Sequence, residues 1–489
     1  MRLDLAEAER RIEEARGTRA ESLELESLDA SELPSSLGDL PDLRALALWD
    51  LDLSDLSVLS RLRGLRSLDL SDSEGVEDLS PLSGLQDLRS LDLSHCYCLA
   101  DLSPLSGLRN LEHLNLTDIG KVTDLSPLSG LQSLRSLHLP SSSTLTDLSP
   151  LAGLSGLQVL DLNRGKVEDL SPLSGLRNLQ SLNLAFCDGV TDLSPLAALQ
   201  SPRSLCLTGC KGVEDLSPLA ELRSLQSLNL EYCRELASLS TFSGLRDLRS
   251  LELPGSVLVT DLSPLSSLTG LQVLNLSLFE RVTDLSPLAG LRELRVLDLG
   301  GCGEIVDLSP LSGLQSLERL DLYHCERVED LSPLSNLRKL QRLQLGKTGI
   351  TDLSPLSNLR ELRSLSVSNT RVADLSPLAG LEGLQSLDFI RTGVTDLSPL
   401  KDLQGLQRLK FGDTGVTGLA PLAGLPALQE IDAYGCKLKV PIPLLRDLVG
   451  RPALKQLVAD EVAGVPPAVL SHHFTGDCLR PLRAYLAEE

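Results

Sequence analysis

Aromatic residues are scarce in this chain, whose 489 residues include 6 Phe, 5 Tyr and 1 Trp. A core filled largely by rings is therefore excluded, and packing must come from stacked aliphatic side chains. No apolar run approaches the roughly 20 residues that cross a bilayer, so a membrane-spanning helix is not expected. The N-terminus is charged from its start and lacks the apolar stretch of a secretory signal. These absences predict a cytoplasmic protein.

Basic residues are also in short supply, because 45 Lys and Arg stand against 67 Asp and Glu and give a net charge of −22. Nucleic acids and anionic membrane surfaces both select for Lys and Arg, so neither is an expected partner. The motifs HExxH, GxSxG and GxGxxG are missing as well. The sequence therefore predicts no enzyme, no cofactor and no metal centre.

One phrase fills the chain instead: Asp-Leu-Ser-Pro-Leu-x-x-Leu-x-x-Leu-x-x-Leu-x-Leu returns every 22 or 23 residues, beginning for example at Asp78, Asp101 and Asp124. The phrase resembles a leucine-rich repeat, in which each unit is a short strand plus a return segment. A single unit cannot bury its own leucines, but stacked units form one continuous core. The expected fold is an α/β leucine-rich repeat solenoid, a curved horseshoe with a parallel sheet on the concave face and short helical turns on the convex face.

The repeats also predict where the chain divides. Residues 1–20 carry apolar residues at helical spacing and predict an N-terminal capping helix. Residues 21–460 hold about 18 repeats of 22–23 residues, and residues 461–489 form either a C-terminal cap or a linker to a missing domain. Within a repeat, Ser-Pro is expected to start the helical turn, with Ser as its cap and Pro at its first position.

Seven of the ten cysteines fall on one repeat position, just after the strand: Cys96, Cys187, Cys210, Cys233, Cys302, Cys325 and Cys436. Later repeats place Thr there. Small, weakly polar residues suit a buried position where each side chain bonds to the backbone of the neighbouring turn. A zinc site or disulfides would be the alternative, but the CxxC spacing typical of metal sites is missing. Reduced, buried thiols fit a reducing compartment.

Aspartates form two regular columns, one opening each turn and one along the outward side of the strands. Catalysis by two carboxylates requires different environments, whereas a regular column gives similar ones. A solvated face and a ladder of divalent cations are the remaining interpretations.

The outward face of the strands is the candidate binding surface. A chain with few aromatics places several of them there, together with basic residues, and interface energy concentrates in Tyr, Trp and Arg. Neutral variation on an exposed face is the alternative. The candidate residues are Trp49, Phe186, Tyr232, Tyr323, His324, Arg342, Arg408 and Tyr434.

Two family resemblances rest on particular segments. The phrase Thr-Asp-Leu-Ser-Pro-Leu-Ser-Asn-Leu at 351–359 resembles the repeats of bacterial internalins, although the ladder position here is Cys or Thr where internalins usually have Asn. Glu-Leu-Pro at 32–34 and the tail at 465–470 and 476–486 are similar to bacterial Roco proteins. That resemblance implies a downstream Ras-like GTPase domain.

Three functions follow as hypotheses. The first is a non-catalytic scaffold or sensor domain that binds a protein partner on its concave face. The second is the regulatory repeat domain of a Roco-type GTPase or other signalling NTPase, with a downstream GTPase or effector domain. The third is a secreted, internalin-like adhesin.

Overall fold

The computed structural model describes residues 5–26, 32–51, 53–139, 141, 145–233, 236, 238–253, 255, 258–466, 470 and 479–488. They form two compact units. The N-terminal unit comprises residues 1–236 and 244–248, and the C-terminal unit comprises residues 237–243 and 249–489. Among the described residues, no helix has both the length and the apolar character needed to cross a membrane.

The N-terminal unit begins with helix α1, Leu5–Thr18, and continues with parallel strands of three residues, each paired with the next. The strands are β1 Ser22–Glu24, β2 Ala45–Ala47, β3 Ser67–Asp69, β4 Ser90–Asp92, β5 His113–Asn115, β6 Ser136–His138, β7 Val159–Asp161, β8 Ser181–Asn183, β9 Ser204–Cys206 and β10 Ser227–Asn229.

The C-terminal unit repeats this arrangement, again with parallel pairing between successive repeats. Its elements are β11 Ser250–Glu252, β12 Val273–Asn275, β13 Val296–Asp298, β14 Arg319–Asp321, β15 Arg342–Gln344, β16 Ser364–Ser366, β17 Ser386–Asp388, β18 Arg408–Lys410, β19 Glu430–Asp432, β20 Lys437–Leu438, α2 Ile442–Val449, β21 Gln456–Val458, β22 Glu461–Val462 and α3 Arg480–Glu488. The sequence did not predict α2, which replaces a 3₁₀ turn before β21.

Short 3₁₀ helices return the chain between strands. They are Ser35–Asp39, Ser57–Arg61, Ser80–Leu82, Ser103–Gly107, Ser126–Gly130, Ser149–Leu151, Ser171–Gly175, Ser194–Ala198, Ser217–Glu221, Ser240–Gly244, Ser263–Ser267, Ser286–Leu288, Ser309–Gly313, Ser332–Leu334, Ser354–Leu356, Ser376–Leu378, Ser398–Leu400 and Ala420–Gly424. The predicted leucine-rich repeat fold, with a long parallel sheet and short helical turns, is confirmed.

Leucines fill most of the repeated positions of the core. Leu91 and Leu93 are 1 % and 0 % exposed, and the same holds for their counterparts in neighbouring repeats. The few buried rings occupy leucine or ladder positions, and Phe389 stacks on Phe411 with centroids 5.8 Å apart. Aliphatic side chains thus supply most of the buried area, as the composition required.

Most of the turns are capped by Asp, and the prediction that Ser caps them is wrong. Ser80 is the first residue of its 3₁₀ helix, and its backbone N–H donates to Asp78 Oδ1 at 2.8 Å. The same bond recurs from Ser126 to Asp124, where the hydroxyl also donates to Oδ2. Ser cannot cap a helix that it begins, whereas an Asp two residues earlier can reach the free N–H groups. The Asp column of the turns is therefore structural.

The cysteine ladder is confirmed in the described residues. The thiols of Cys187, Cys210 and Cys233 donate to carbonyls of the preceding repeat at 3.0–3.2 Å. The threonines behave differently, because Thr348 Oγ1 donates to Leu345 O in its own repeat at 2.6 Å. Burial raises the pKa of Cys187 and Cys233 to about 11, so these thiols stay protonated at neutral pH.

Candidate binding face

In seventeen repeats, the described chain makes a left-handed step immediately before the ladder position. The chain needs this step to leave the strand and turn inward. The amide of the left-handed residue still donates to the next repeat, as from Phe186 to Thr208 O at 2.6 Å and from Leu278 to Gly300 O at 2.7 Å. We call these positions the left-handed column. It comprises Asp50, Asp72, His95, Asp118, Arg164, Phe186, Gly209, Tyr232, Gly255, Leu278, Gly301, His324, Lys347, Asn369, Arg391, Asp413 and Gly435.

Some residues of this column adopt a backbone conformation that is unfavourable for their residue type. Gly adopts a positive φ freely, and Asp, Asn and His are the next most tolerant residues. Phe186, Tyr232 and Leu278 have φ of 59°, 61° and 64°, although bulky side chains rarely adopt this region. Their side chains remain 44 %, 50 % and 51 % exposed. Burial therefore offsets little of the strain, and folding alone does not explain why these residues are present.

Bulky residues and glycines alternate along one stretch of the column, in the order Phe186, Gly209, Tyr232, Gly255, Leu278, Gly301 and His324. The glycines leave room for their neighbours. A β carbon at Gly209 would lie 2.6 Å from Phe186 Cδ1, and one at Gly301 would lie 2.6 Å from Leu278 Cδ2. Each of these two side chains thus leans over the glycine that follows it within its own unit.

The predicted binding residues are distributed over both units. In the N-terminal unit, Phe186 and Tyr232 lie in the left-handed column, and Trp49 lies one position before it, 37 % exposed. In the C-terminal unit, His324 lies in the column, and Tyr323 and Tyr434 lie one position before it.

The structure brings only some of these residues together. Tyr323 and His324 stack with ring centroids 6.0 Å apart. Arg342 and Arg408 begin strands β15 and β18 and are separated by the serines that begin β16 and β17. They are exposed, but they do not form one cluster with the rings.

A pocket of about 500 Å³ opens on this face in the C-terminal unit. Gly300 and Gly301 both lack a side chain, so the repeat of β13 is a gap between its neighbours. Leu278 lies on one side of this gap, and Tyr323 and His324 lie on the other. The full lining is Ser277, Leu278, Asp298, Gly300, Gly301, Asp321, Tyr323, His324, Gln344 and Lys347.

Sequence reasoning missed Leu278 and this gap. Leu278 reads as another leucine of the repeat, while Phe279 beside it takes the ladder position and is fully buried. The signal that could have revealed the gap is Gly300-Gly301, two glycines at consecutive positions where most repeats carry side chains.

Two carboxylates and the ammonium group of Lys347 form the charged part of the pocket. Asp298 and Asp321 occupy the same register position on β13 and β14. One oxygen of each accepts a backbone N–H, from Gly300 at 2.9 Å and from Tyr323 at 2.8 Å. Burial raises the pKa of Asp321 above its ordinary value and the charge of Asp298 raises it further, while the Tyr323 backbone bond and the charge of Arg319 lower it. Neither carboxylate forms an ion pair with a residue that the structure describes.

Cations already lie over aromatic rings on both units. Lys347 Nζ is 5.3 Å from the ring centroid of Tyr323, and the Arg164 guanidinium carbon is 5.7 Å from that of Phe186. These are cation–π distances. No group of three His, Cys, Asp or Glu side chains suited to a metal ion occurs in the described part of the chain.

Comparisons with known proteins agree with this geometry. Residues 63–107, 86–130, 292–336, 315–358 and 338–380 match the family model described as leucine rich repeats (2 copies). The crystal structure of an internalin (inlF) from Listeria monocytogenes is 32 % identical over 64 % of this chain and 84 % of its own, with a TM-score of 0.50. No curated protein matches the chain.

Two more distant structures share the fold. A leucine-rich repeat protein of Leptospira interrogans is 22 % identical over 91 % of this chain and 98 % of its own, with a TM-score of 0.53. The ectodomain of the plant receptor kinase GASSHO1/SCHENGEN3 from Arabidopsis thaliana, in complex with Casparian strip integrity factor 2, is 22 % identical over 90 % of this chain and 57 % of its own, with a TM-score of 0.62. By its repeats and its identity with the internalin, the chain belongs to the leucine-rich repeat proteins.

Proposed function

We propose that this protein is a non-catalytic binding scaffold or sensor domain that holds a protein partner on the exposed face of its sheet. The observation that carries the proposal is the set of exposed bulky residues at positive φ, Phe186, Tyr232 and Leu278. Strained residues persist where something other than folding retains them, and exposed rings are typical interface anchors. Neutral variation would be expected to favour Gly, Asn or Asp at such positions.

The net charge supports a protein partner over a nucleic acid, since phosphate binding requires a basic surface. The related plant receptor ectodomain is in complex with Casparian strip integrity factor 2, so this fold can hold a partner. We include in the proposed surface the predicted residues Trp49, Phe186, Tyr232, Tyr323, His324, Arg342, Arg408 and Tyr434.

The tail is proposed as a cap. Leu479, Leu482 and Leu486 are at most 3 % exposed. Arg446 of α2 donates to Leu486 O near the end of α3 at 2.9 Å, and Arg483 of α3 donates to Val449 O at the end of α2 at 2.9 Å. Each helix thus satisfies free carbonyls of the other, which supports covering the last repeat.

Two narrower roles use the same face. A regulatory repeat domain of a Roco-type GTPase would need the tail as a connector, but its buried leucines support the capping role, which requires no further domain. An internalin-like adhesin is the second candidate, and the 32 % identity with an internalin supports it. Cell fractionation with an antibody to the chain separates it from the scaffold, because an adhesin must reach the cell surface or the medium.

The test is a pull-down from native lysate with three baits: the wild type, the double variant Tyr232→Ala/Tyr323→Ala, and Tyr97→Ala. Tyr97 is a matched control because it is 48 % exposed but follows the ladder residue Cys96, whereas Tyr232 and Tyr323 precede the ladder residues of their repeats. We expect a protein that is retained by the wild type and the control and lost from the double variant, with an affinity loss of about 2 kcal/mol or more.

The thermal melts of the three baits should coincide, because the tyrosine rings point away from the core. A set of captured proteins that is the same for all three baits would contradict the proposal.

A further inference from the structure

The pocket at Gly300 and Gly301 differs from the rest of the face in having no side chain at two consecutive positions. Elsewhere a glycine in the column is preceded by a residue that partly fills the space, such as Thr208 before Gly209. Here the gap is one repeat wide, with Leu278 on one side and the Tyr323–His324 pair on the other. Leu278 leans over Gly301, whereas a β carbon at Gly300 would meet Asp298 Oδ1 at 3.1 Å and Asp321 Oδ1 at 3.6 Å, so the space for a guest side chain lies beside Gly300 and the two carboxylates.

Two carboxylates lie at the base of this gap, and the lining adds one cation, Lys347, whose ammonium group lies over the Tyr323 ring. Like charges directly opposite each other on neighbouring strands are unfavourable. Like charges also face each other at Arg319 and Arg342, which begin β14 and β15. Other charged residues of neighbouring repeats form ion pairs, as in the Arg391–Asp413 pair at 3.0 Å and the Lys410–Glu430 pair at 3.3 Å. Asp298 and Asp321 instead face each other, and the residues beside them in register are the uncharged Asn275 and Gln344.

The N-terminal unit contains a similar pair that lacks the pocket. Asp69 and Asp92 face each other on β3 and β4. Asn115 Nδ2 donates to the second oxygen of Asp92 at 2.9 Å. The repeats of this pair carry side chains at the positions that are glycine in the pocket. Among the strand registers that the structure describes, two carboxylates thus face each other at these two places, and of the two pairs the one at Asp298 lies beneath an open gap with apolar and aromatic sides.

The arrangement specifies a guest with an apolar stem and a cationic head. Leu278 and the bare backbone of Gly300 and Gly301 suit an aliphatic stem, and the two carboxylates suit a cation. A guanidinium group presents a planar fork of donors that bonds carboxylates in a bidentate way and can stack flat on a ring, whereas an ammonium group acts as a compact point charge. Lys347 over Tyr323 illustrates that the ring already accepts a cation on this face.

We propose that the pocket lined by Leu278, Gly300 and Gly301 and bounded by Tyr323 receives one arginine side chain from an extended, basic segment of the partner protein, with its guanidinium held by Asp298 and Asp321. This inference rests on the proposed function and adds the chemistry of the partner. It gives the acidic face a complementary, basic ligand, in keeping with the net charge of −22.

The experiment selects displayed random 12-residue peptides on three baits: the wild type, Asp298→Asn/Asp321→Asn, and the matched control Asp69→Asn/Asp92→Asn. Asn preserves the backbone bond, because Asn275 at the same repeat position accepts the N–H of Ser277 at 2.9 Å. The variants should therefore fold, and circular dichroism melts check this.

Peptides enriched on the wild type and on the control should share an Arg beside apolar residues. One such peptide, made synthetically and titrated by calorimetry, should bind Asp298→Asn/Asp321→Asn at least about tenfold more weakly. Replacing its Arg by Lys should also weaken binding, and added salt should weaken it further.

Enrichment of acidic peptides, equal loss in both double variants, or no enriched peptide would each overturn the pocket assignment. None of these results would contradict binding by the face as a whole, which the Tyr232→Ala/Tyr323→Ala pull-down decides separately. If that pull-down fails while arginine peptides still select the pocket, the site binds its ligand without the proposed broader interface.

Discussion

At positions of the left-handed column, we expect a protein with glycine to be more stable than one with alanine, which is the reverse of the usual order. We consider two triple variants in which Phe186, Tyr232 and Leu278 are all replaced, either by Gly or by Ala. Both variants lose the same side-chain contacts, so the difference between them reports the backbone alone. At an ordinary position Ala is the more stable residue, because Gly has more freedom to lose on folding. At φ near 60° the order should reverse.

The magnitude follows from two opposing terms. A residue with a β carbon in the left-handed region costs about 1–2 kcal/mol, whereas the extra freedom of unfolded Gly costs about 0.4–1 kcal/mol. The net preference for Gly is then about 0.5–1 kcal/mol for each site. No two of the sites lie in adjacent repeats, so their contributions should add to about 1.5–3 kcal/mol. At about 2.1 cal/mol/K per residue, this corresponds to a Tm difference of about 1.5–3 °C for a chain of this length.

Differential scanning calorimetry of the two variants measures this difference. Ala185→Gly is the control, since Ala185 precedes Phe186 at a negative φ and is buried, and there glycine should lower the Tm. Both triple variants should lose the partner equally, because each lacks the same rings. If the alanine variant melts at or above the glycine variant, the column stores no strain, and the reasoning that links its bulky residues to binding fails.

Three further predictions concern the ladder, the turns and the tail. Thiol titration should detect ten groups in denaturant and few in the folded protein, with the half-exposed Cys206 among the first to react; disulfides in a fresh sample would contradict it. The pKa of turn aspartates such as Asp124 is lowered by hydrogen bonds from Ser126, so their contribution to stability is present above the ordinary pKa of 3.8 and is lost as the pH falls through the lower pKa of the folded protein. The Tm should therefore fall in that acidic range, and it should fall less when turn aspartates are replaced by Asn. A Tm that does not change in this range would exclude the effect. Truncation after Pro467 should lower the Tm or cause aggregation if α3 is a cap, and a truncated monomer that melts like the full chain would make the tail a free connector.

The fold was predictable because its period is strict. Most repeats place a leucine on either side of one outward strand residue, and the 22- or 23-residue interval brings equivalent leucines into register. The ladder was predictable for the same reason, since Cys187, Cys210 and Cys233 share one position. Tertiary packing here is nearly a one-dimensional problem, in which each repeat contacts its neighbours.

Some structural features could not be predicted from the sequence. They occur where two residues could both play the same role, or where the chain no longer follows the repeat. Asp78 and Ser80 both suit a cap, and only the start of the 3₁₀ helix at Ser80 decides between them. Thr348 suits the ladder, but its hydroxyl bonds within its own repeat, because a β-branched side chain is restricted in χ1. Helix α2 follows the last regular repeat, so the period carried no information about it.

The candidate site was only half predictable for a related reason. The aromatic residues could be placed on the outward face from the register alone. Their backbone conformation could not be predicted, because the residue types of Phe186 and Leu278 do not indicate a positive φ. The alternation with Gly209 and Gly301 is visible in the sequence, yet it acquires meaning only once the left-handed step is known.

The packing of one repeat on the next places few requirements on the residues of the left-handed column. Its amide must reach the carbonyl of the next repeat, and its φ must be tolerated; glycine satisfies both demands, as at Gly209, Gly255 and Gly301. Leucine positions, by contrast, admit almost no change without opening a cavity. A residue that differs from the repeat pattern at a core position therefore changes the packing. A bulky residue in the left-handed column instead lowers stability without improving the packing between repeats. In a repeat protein, the binding surface is best sought at positions where a residue differs from the repeat pattern and lowers the stability of the fold. Here that criterion identifies Phe186, Tyr232 and Leu278, together with the gap beside Leu278.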